Sequence, residues 1–195
     1  MKRAKPATWK DYFESRKGKP PRPLLIKALS FVKNKDAALD FGAGTLNDIP
    51  LLLDGGFKHV VALDKNDVTK LIGKELPKNR FEYIVASFEE FDYGVNRFDL
   101  ISAQFALPFI NPASFDDVFE KIYQSLKQGG ILVGQFFGDR DEWRDNPEMT
   151  FTSRARVDEL LSRFKVMSLE EEERDSVTAV GEMKHWHIFN FIVEK

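Results

Sequence analysis

The densest chemistry in the chain lies in ALDFGAGTLND, Ala38 to Asp48, where an apolar run passes directly into Gly42-Ala43-Gly44. Glycines at such a turn let the backbone approach a ligand with no Cβ in the way, and a helix that follows offers unpaired N–H groups. Asp64, twenty positions after Gly44, ends the next apolar run, where a carboxylate can accept hydrogen bonds from both hydroxyls of a ribose. Strand, glycines and distant acid together describe a nucleotide-type site. A dinucleotide turn would carry a third glycine at position 47, for close helix packing beneath a pyrophosphate, and Asn47 stands there instead. Asp40, two residues before the first glycine, would sit badly beside a pyrophosphate, yet it suits a ligand carrying an ammonium and a sulfonium, as S-adenosylmethionine does.

These residues need a sheet to hold them. Five short runs rich in Val, Ile, Leu and Phe read as parallel strands covered on both faces: Ala37 to Phe41, Val60 to Asp64, Phe81 to Val85, Phe98 to Ala103 and Ile131 to Phe136. Helical patterns fit between them at Leu46 to Leu53, Asp67 to Leu76 and Ser114 to Leu126, with Gly55-Gly56 and Gly129-Gly130 as stops. Only Ser87 to Arg97 separates the third strand from the fourth, so a single helical turn is expected there. Beyond Phe137 a helix from about Ser153 to Arg163 precedes a final strand pair, Phe164 to Glu173 and His185 to Glu194. Ahead of the first strand, Thr8 to Arg16 and Pro23 to Val32 read as two helices around Gly18-Lys19-Pro20-Pro21. Without internal repeats or a linker, residues 1–195 are expected to form one domain, 1–35 as N-terminal helices and lid and 36–195 as the sheet core.

Composition narrows the chemistry. The 195 residues are 43% hydrophobic and 31% charged, a globular balance, and the absence of cysteine removes disulfides and thiolate nucleophiles. No apolar run approaches the length of a membrane span and the first residues are charged, so a soluble cytoplasmic protein without a membrane partner is expected. The net charge of −2 argues against an obligate nucleic-acid binder, although residues 1–35 carry eleven Lys or Arg against two acids, a net of about +9. Glu170 to Glu173 with Asp175 read as an exposed strand end or turn. The pattern carries no expectation about oligomeric state.

In its order of motifs the sequence resembles the class I S-adenosylmethionine-dependent methyltransferases, whose first motif is an acid-x-Gly-x-Gly turn like Asp40-Phe41-Gly42-Ala43-Gly44. FDLISAQFALPFI, Phe98 to Ile110, is similar to the family's fourth motif, and LKQGGILV, Leu126 to Val133, to its approach to strand five. The resemblance spans roughly residues 36–137 plus the terminal hairpin. Trp9, Tyr12 and the closing KHWHIFNFIVEK further resemble small tellurite-resistance-type methyltransferases. The resemblance implies a Rossmann-like, doubly wound α/β sheet of seven strands in the order 3-2-1-4-5-7-6, only the last antiparallel. It also implies S-adenosylmethionine as cofactor, with Asp64 on the ribose, Gly42 and Gly44 along the methionine portion, Asp40 toward its ammonium, and Ser87 and Phe88 beside the adenine. Gln104 joins that cofactor set. Ser87 stands where the family usually has an acid. Ala106-Leu107-Pro108-Phe109 departs from the Asn/Asp-Pro-Pro-aromatic motif of enzymes that methylate base and glutamine amino groups, which points away from an amide or base acceptor.

A small-molecule acceptor is expected among loops at the carboxyl ends of strands four and five, where open α/β sheets place ligands. The candidates for it are Trp9, Tyr12, Arg22, Phe109, Arg140, Trp143 and His185, with core packing or surface ion pairs as the alternative for each. Methyl transfer needs alignment and desolvation more than an obligatory catalytic group, so Tyr12, Asp139 and His185 stand only as candidate bases. His185 and His187 share one face of a strand and Trp186 the other. Two histidines without a third ligand predict no metal site. Residues 1–22 are expected to close as a lid over the cofactor. Two other readings remain open: a noncatalytic S-adenosylmethionine-binding or scaffold protein, and a nicotinamide-dependent oxidoreductase.

Overall fold

A computed structural model describes residues 8–68 and 79–195. Among the described residues eight strands form one sheet: β1 (Ala37–Phe41), β2 (His59–Asp64), β3 (Phe81–Val85), β4 (Phe98–Ala103), β5 (Leu126–Gly138), β6 (Phe151–Thr152), β7 (Lys165–Val177) and β8 (Met183–Glu194). The order is β3-β2-β1-β4-β5-β8-β7, and the two-residue β6 pairs in parallel with β5 beside that path. The expected order therefore holds, with β3 at the edge and β8 antiparallel to both β5 and β7. No sequence pattern marks the added strand, β6, because two residues are too few to carry a periodic signal.

Alternation along the strands divides the core into two layers. Leu39, Phe41, Ile101, Leu132 and Phe136 face one side, with α4 (Phe115–Ser125) and α5 (Arg154–Leu161) packed over them. Ala38, Val60, Leu100, Ile131 and Val133 face the other, under α2 (Pro23–Leu29) and α3 (Ile49–Asp54). In α4 the buried set Phe115, Val118, Phe119 and Ile122 follows the i, i+3, i+4, i+7 spacing of one helix face. Each such side chain, fully buried, contributes about 1.5–3 kcal/mol.

Several boundaries differ from those expected, each for a local reason. The first crossover helix begins at Ile49 rather than Leu46, because Leu46 has a positive φ of 56° and Asp48 and Pro50 suit a helix start. The Gly129-Gly130 pair does not stop a helix: α4 has ended at Ser125, and the pair lies where β5 shifts register against β4 between Phe98 and Leu100. The third crossover is one turn, closed by Phe91 N donating to the Ser87 carbonyl at 3.2 Å. Glu170–Glu173 lie inside edge strand β7 and not at its end, where charge discourages further strand pairing. The expected helix Asp67 to Leu76 lies, beyond Val68, outside the described residues. Among the described residues no helix is long and apolar enough to cross a membrane.

The N-terminal α1 (Trp9–Arg16) starts with a capping box, in which Thr8 Oγ1 accepts from Asp11 N and the Asp11 carboxylate accepts from Thr8 N. Its Phe13 is buried, its Arg16 carbonyl accepts from Asn47 Nδ2 at 2.7 Å, and the following Arg22 N donates to Asp48 Oδ1 at 3.0 Å. These contacts seat α1 against the loop after β1, at the carboxyl edge of the sheet.

Candidate functional site

The turn after β1 is shaped by backbone hydrogen bonds. Gly42 N and Ala43 N both donate to the Leu63 carbonyl, at 2.8 and 2.9 Å, which ties the turn to the end of β2. Gly42 adopts a φ of +74°, and a Cβ there would lie 2.6 Å from the Ala106 Cβ, so only glycine fits. Gly44 N donates to Asp64 Oδ2 at 2.9 Å, and Asn66 N and Nδ2 donate to Oδ1 at 2.9 and 3.1 Å. The buried Asp64 carboxylate is thus fixed in place while still lining the cleft.

Two more acids stand at the same turn. Asp40 is almost wholly buried, and burial pushes its carboxyl well above the usual range, with Asp48 and Asp64 adding to the rise and Arg22 opposing it. Burial raises Asp48 as well, against the Arg22 N–H bond and the Arg22 and Arg16 charges. Tyr12, Arg16 and Arg22 face these acids across a small recess of about 40 Å³ that Gln104 also lines.

The Gln104 amide is oriented by a chain of bonds. Phe105 N donates to Gln135 Oε1 at 2.9 Å, so Gln135 Nε2 is left to donate to Gln104 Oε1 at 3.2 Å. Gln104 Nε2 is left buried with no hydrogen-bond partner among the described residues, on a side chain that lines the recess. A buried donor left unpaired costs about 1–3 kcal/mol, a cost that a polar ligand would remove.

The recess opens into a cleft of about 1280 Å³ at the carboxyl edge of the sheet. One end is bounded by Asp64, Ser87 and Phe88; the Phe88 ring stacks on Phe41 at 4.0 Å, and Ser87 Oγ is occupied with Glu90. The other end is walled by rings. Trp9 meets Phe109 at 5.2 Å, Phe109 meets Phe137 at 6.3 Å, Phe137 meets Trp186 at 5.6 Å, and Trp186 meets Trp143 at 5.7 Å. Phe105 completes this wall with a φ of 56°, a left-handed conformation that costs a bulky residue about 1–3 kcal/mol.

The structure brings most of the expected residues to the cleft. Asp40, Gly42, Gly44, Asp64, Ser87, Phe88 and Gln104 line its recess or its narrower end, and Trp9, Tyr12, Arg22, Phe109 and Trp143 line the aromatic end. Three candidates are not brought there. His185 alternates to the face opposite Trp186, where Asp175 and Glu173 bind both ring nitrogens and raise its pKa. Arg140 forms ion pairs with Glu171 and Glu173 on that outer face, and Asp139 lies beside it. The expected place of His185 as base or acceptor contact is therefore corrected: strand alternation turns it away from the cleft, which Trp186 and Ile188 face instead.

Sequence reasoning passed over Arg16, Asp48 and a buried ion pair, Lys184 with Asp141, behind the aromatic wall. Asp48 had a signal in its place, at the end of the glycine turn. Lys184 and Asp141 had none, since a lysine in a charged segment reads as solvated.

A family model described as a methyltransferase domain matches residues 39–134. No curated protein sequence matches the chain. Among solved structures it is similar to TehB from Haemophilus influenzae, at TM-score 0.75 and 14% identity, covering 97% of this chain and 68% of that one. It is also similar to an S-adenosylmethionine-dependent methyltransferase from Methanosarcina mazei, at TM-score 0.67 and 16% identity, covering 91% and 99%. A third similar structure is the 1,6-didemethyltoxoflavin N1-methyltransferase of Burkholderia thailandensis, bound to its acceptor and S-adenosylhomocysteine, at TM-score 0.62 and 18% identity, covering 89% and 78%. Strand order, glycine turn and domain match agree: the chain carries a methyltransferase domain match over residues 39–134 on the class I methyltransferase fold, whose members take S-adenosylmethionine as cofactor.

Proposed function

We propose that the protein is an enzyme that methylates a small molecule held in the aromatic end of the cleft. The observation that carries this reading is the buried Gln104 Nε2, unpaired among the described residues, on a side chain lining a recess that already offers carboxylates and guanidinium groups. That donor set suits the amino-acid end of the cofactor: Asp40 for the ammonium, and Gln104 and the nearby arginines for the carboxylate. The Gly42 turn, packed against Ala106 and tied to the Leu63 carbonyl, holds the wall of that recess in place. Asp64 would hold the ribose, and the Phe88 ring would flank the adenine. The cleft exceeds the roughly 300–1,000 Å³ that holds most small ligands, so cofactor and acceptor fit together.

When bound, S-adenosylmethionine supplies a methyl group on a sulfonium, an already activated leaving group. The chain's part is to bind, align and keep water out. Phe105, Phe109, Phe137, Trp143 and Trp186 would desolvate the acceptor, and α1, with Trp9 and Tyr12, would cover the mouth. Of the three candidate bases, Tyr12 alone lines the cleft, where its hydroxyl accepts from Arg22 Nη2 at 3.3 Å.

Calorimetric titration with S-adenosylhomocysteine tests the cofactor half. Losing a charge-assisted hydrogen bond costs about 1.5–3 kcal/mol, so Asp64→Ala should lower affinity roughly ten-fold to over a hundred-fold while the fold persists. Unchanged affinity in that variant would remove the assignment. A screen of small acceptors for S-adenosylhomocysteine production tests the enzyme.

A further inference from the structure

Cations lie over most rings of the acceptor chamber. Lys184 Nζ lies 3.7 Å from the Trp186 centroid, 4.3 Å from Trp143 and 4.9 Å from Phe137. Arg22 lies 4.7 Å over Phe105, and Lys65 lies 5.3 Å over Trp9. Of the six rings named for this wall, Phe109 alone has no cation over it from among the described residues.

The Lys184 contact is a built feature. Its ammonium is buried and bonded to both oxygens of Asp141, itself wholly buried. Asp141 also accepts from Trp143 N at 3.0 Å and His187 N at 3.3 Å, so one carboxylate ties the 138–146 loop to β8. The pair is neutral overall, but its positive end rests on the rings. Neither residue lines the cleft, so the ammonium sits behind the wall that an acceptor would touch.

An aromatic face attracts a cation through its quadrupole. Where one is already seated on the far side, a second cation in the chamber meets it across the thickness of a ring, in a poorly solvated setting that strengthens the repulsion. A planar anion gains from the same arrangement: stacking area from the rings and positive potential from behind them. The carboxylates on the cleft do not cancel this. Glu89, Glu148 and Glu182 are exposed at its rim, and Asp64 is held by Gly44 and Asn66.

We propose that the acceptor is a planar aromatic compound that binds and reacts as an anion, through an ionised oxygen, sulfur or ring nitrogen. The inference rests on the methyltransferase reading above and narrows it to one substrate class. The acceptor gives up its proton to solvent, its lone pair forms the bond to the methyl carbon, and the methyl–sulfonium bond breaks with its electron pair returning to sulfur. Anion and sulfonium become two neutral groups, a change that a poorly solvated chamber favours.

The test is calorimetric titration of the full chain, saturated with S-adenosylhomocysteine, with three probes: 4-nitrophenolate, benzylammonium and cyclohexanecarboxylate. The aromatic anion should bind at least about ten-fold tighter than either of the others. Replacing the buried pair together, Lys184→Met with Asp141→Leu, should shrink the preference over benzylammonium several-fold and leave S-adenosylhomocysteine affinity intact. Should that double variant not fold, the exposed Lys65→Gln gives the same direction with a smaller amplitude. Equal or tighter binding of benzylammonium, or no binding of the aromatic anion to the saturated protein, overturns the inference and leaves the methyltransferase reading standing. Failure of S-adenosylhomocysteine itself to bind overturns both.

Discussion

At the cofactor end of the cleft, β1, β2 and the turn between them contribute mainly backbone groups: two N–H groups on the Leu63 carbonyl, one on Asp64, and a glycine that leaves no room for a Cβ. At the acceptor end the contributors are side chains, from positions 9, 105, 109, 137, 143 and 186, held by ring contacts and a buried ion pair. In the proposed reading, a turn fixed by backbone bonds carries the polar side chains that would meet the cofactor, and a wall fixed by side-chain contacts would meet the acceptor. The two ends should accordingly fail in different ways.

The largest expected effect is at the acceptor end. Asp141→Ala leaves the Lys184 ammonium buried without its partner, and breaking a buried pair from one side costs about 3–5 kcal/mol. Chemical denaturation should show that loss, with β8 and the 138–146 loop the first to lose hydrogen-exchange protection. A loss below about 1 kcal/mol would mean that the pair does not organise the wall.

That pair also marks where sequence reading stopped. The glycine turn, Asp64 and the order of strands were legible because each rests on local spacing: an apolar run, a backbone that must turn, an acid at the next strand end. The aromatic end depends on which way long-range neighbours face. Trp186 and His185 are adjacent in sequence, and strand alternation sends one to the cleft and the other to the outer ion network. Lys184 looked like a solvated charge because nothing nearby in sequence shows that Asp141, forty-three positions earlier, meets it. The Gln104 orientation likewise follows from Phe105 N and Gln135, which only the paired strands bring together.

A smaller effect at the cofactor end concerns protons. Burial keeps the Asp40 carboxyl well above its ordinary pKa, so the folded protein holds a proton that the unfolded chain releases. The resulting destabilisation is absent below the ordinary carboxylate pKa, grows as pH rises through the interval up to the raised value, and is constant above it. Asp40→Asn should therefore stabilise the ligand-free protein at neutral pH and flatten that part of its pH profile. A cofactor ammonium beside Asp40 favours the charged form, so titrations with S-adenosylhomocysteine in buffers of different ionisation enthalpy should show proton release within the same interval. Identical heats in all buffers across it would detach Asp40 from the ligand.

The smallest effect should come from the outer face. His185→Gln removes a side chain exposed outside the cleft, and affinity for S-adenosylhomocysteine and for aromatic probes should stay within about two-fold. A ten-fold loss would return His185 to the site.

Completion of the Gln104 recess by the cofactor can be read from S-adenosylhomocysteine titration of Gln104→Leu beside the unmodified chain. Leucine removes a buried unpaired donor, and Gln135 Nε2 keeps its bond to Asn190 Oδ1 at 3.3 Å, so the ligand-free variant should be no less stable in denaturant. Affinity should nevertheless fall about ten-fold or more. Unchanged affinity in a folded variant would contradict that completion.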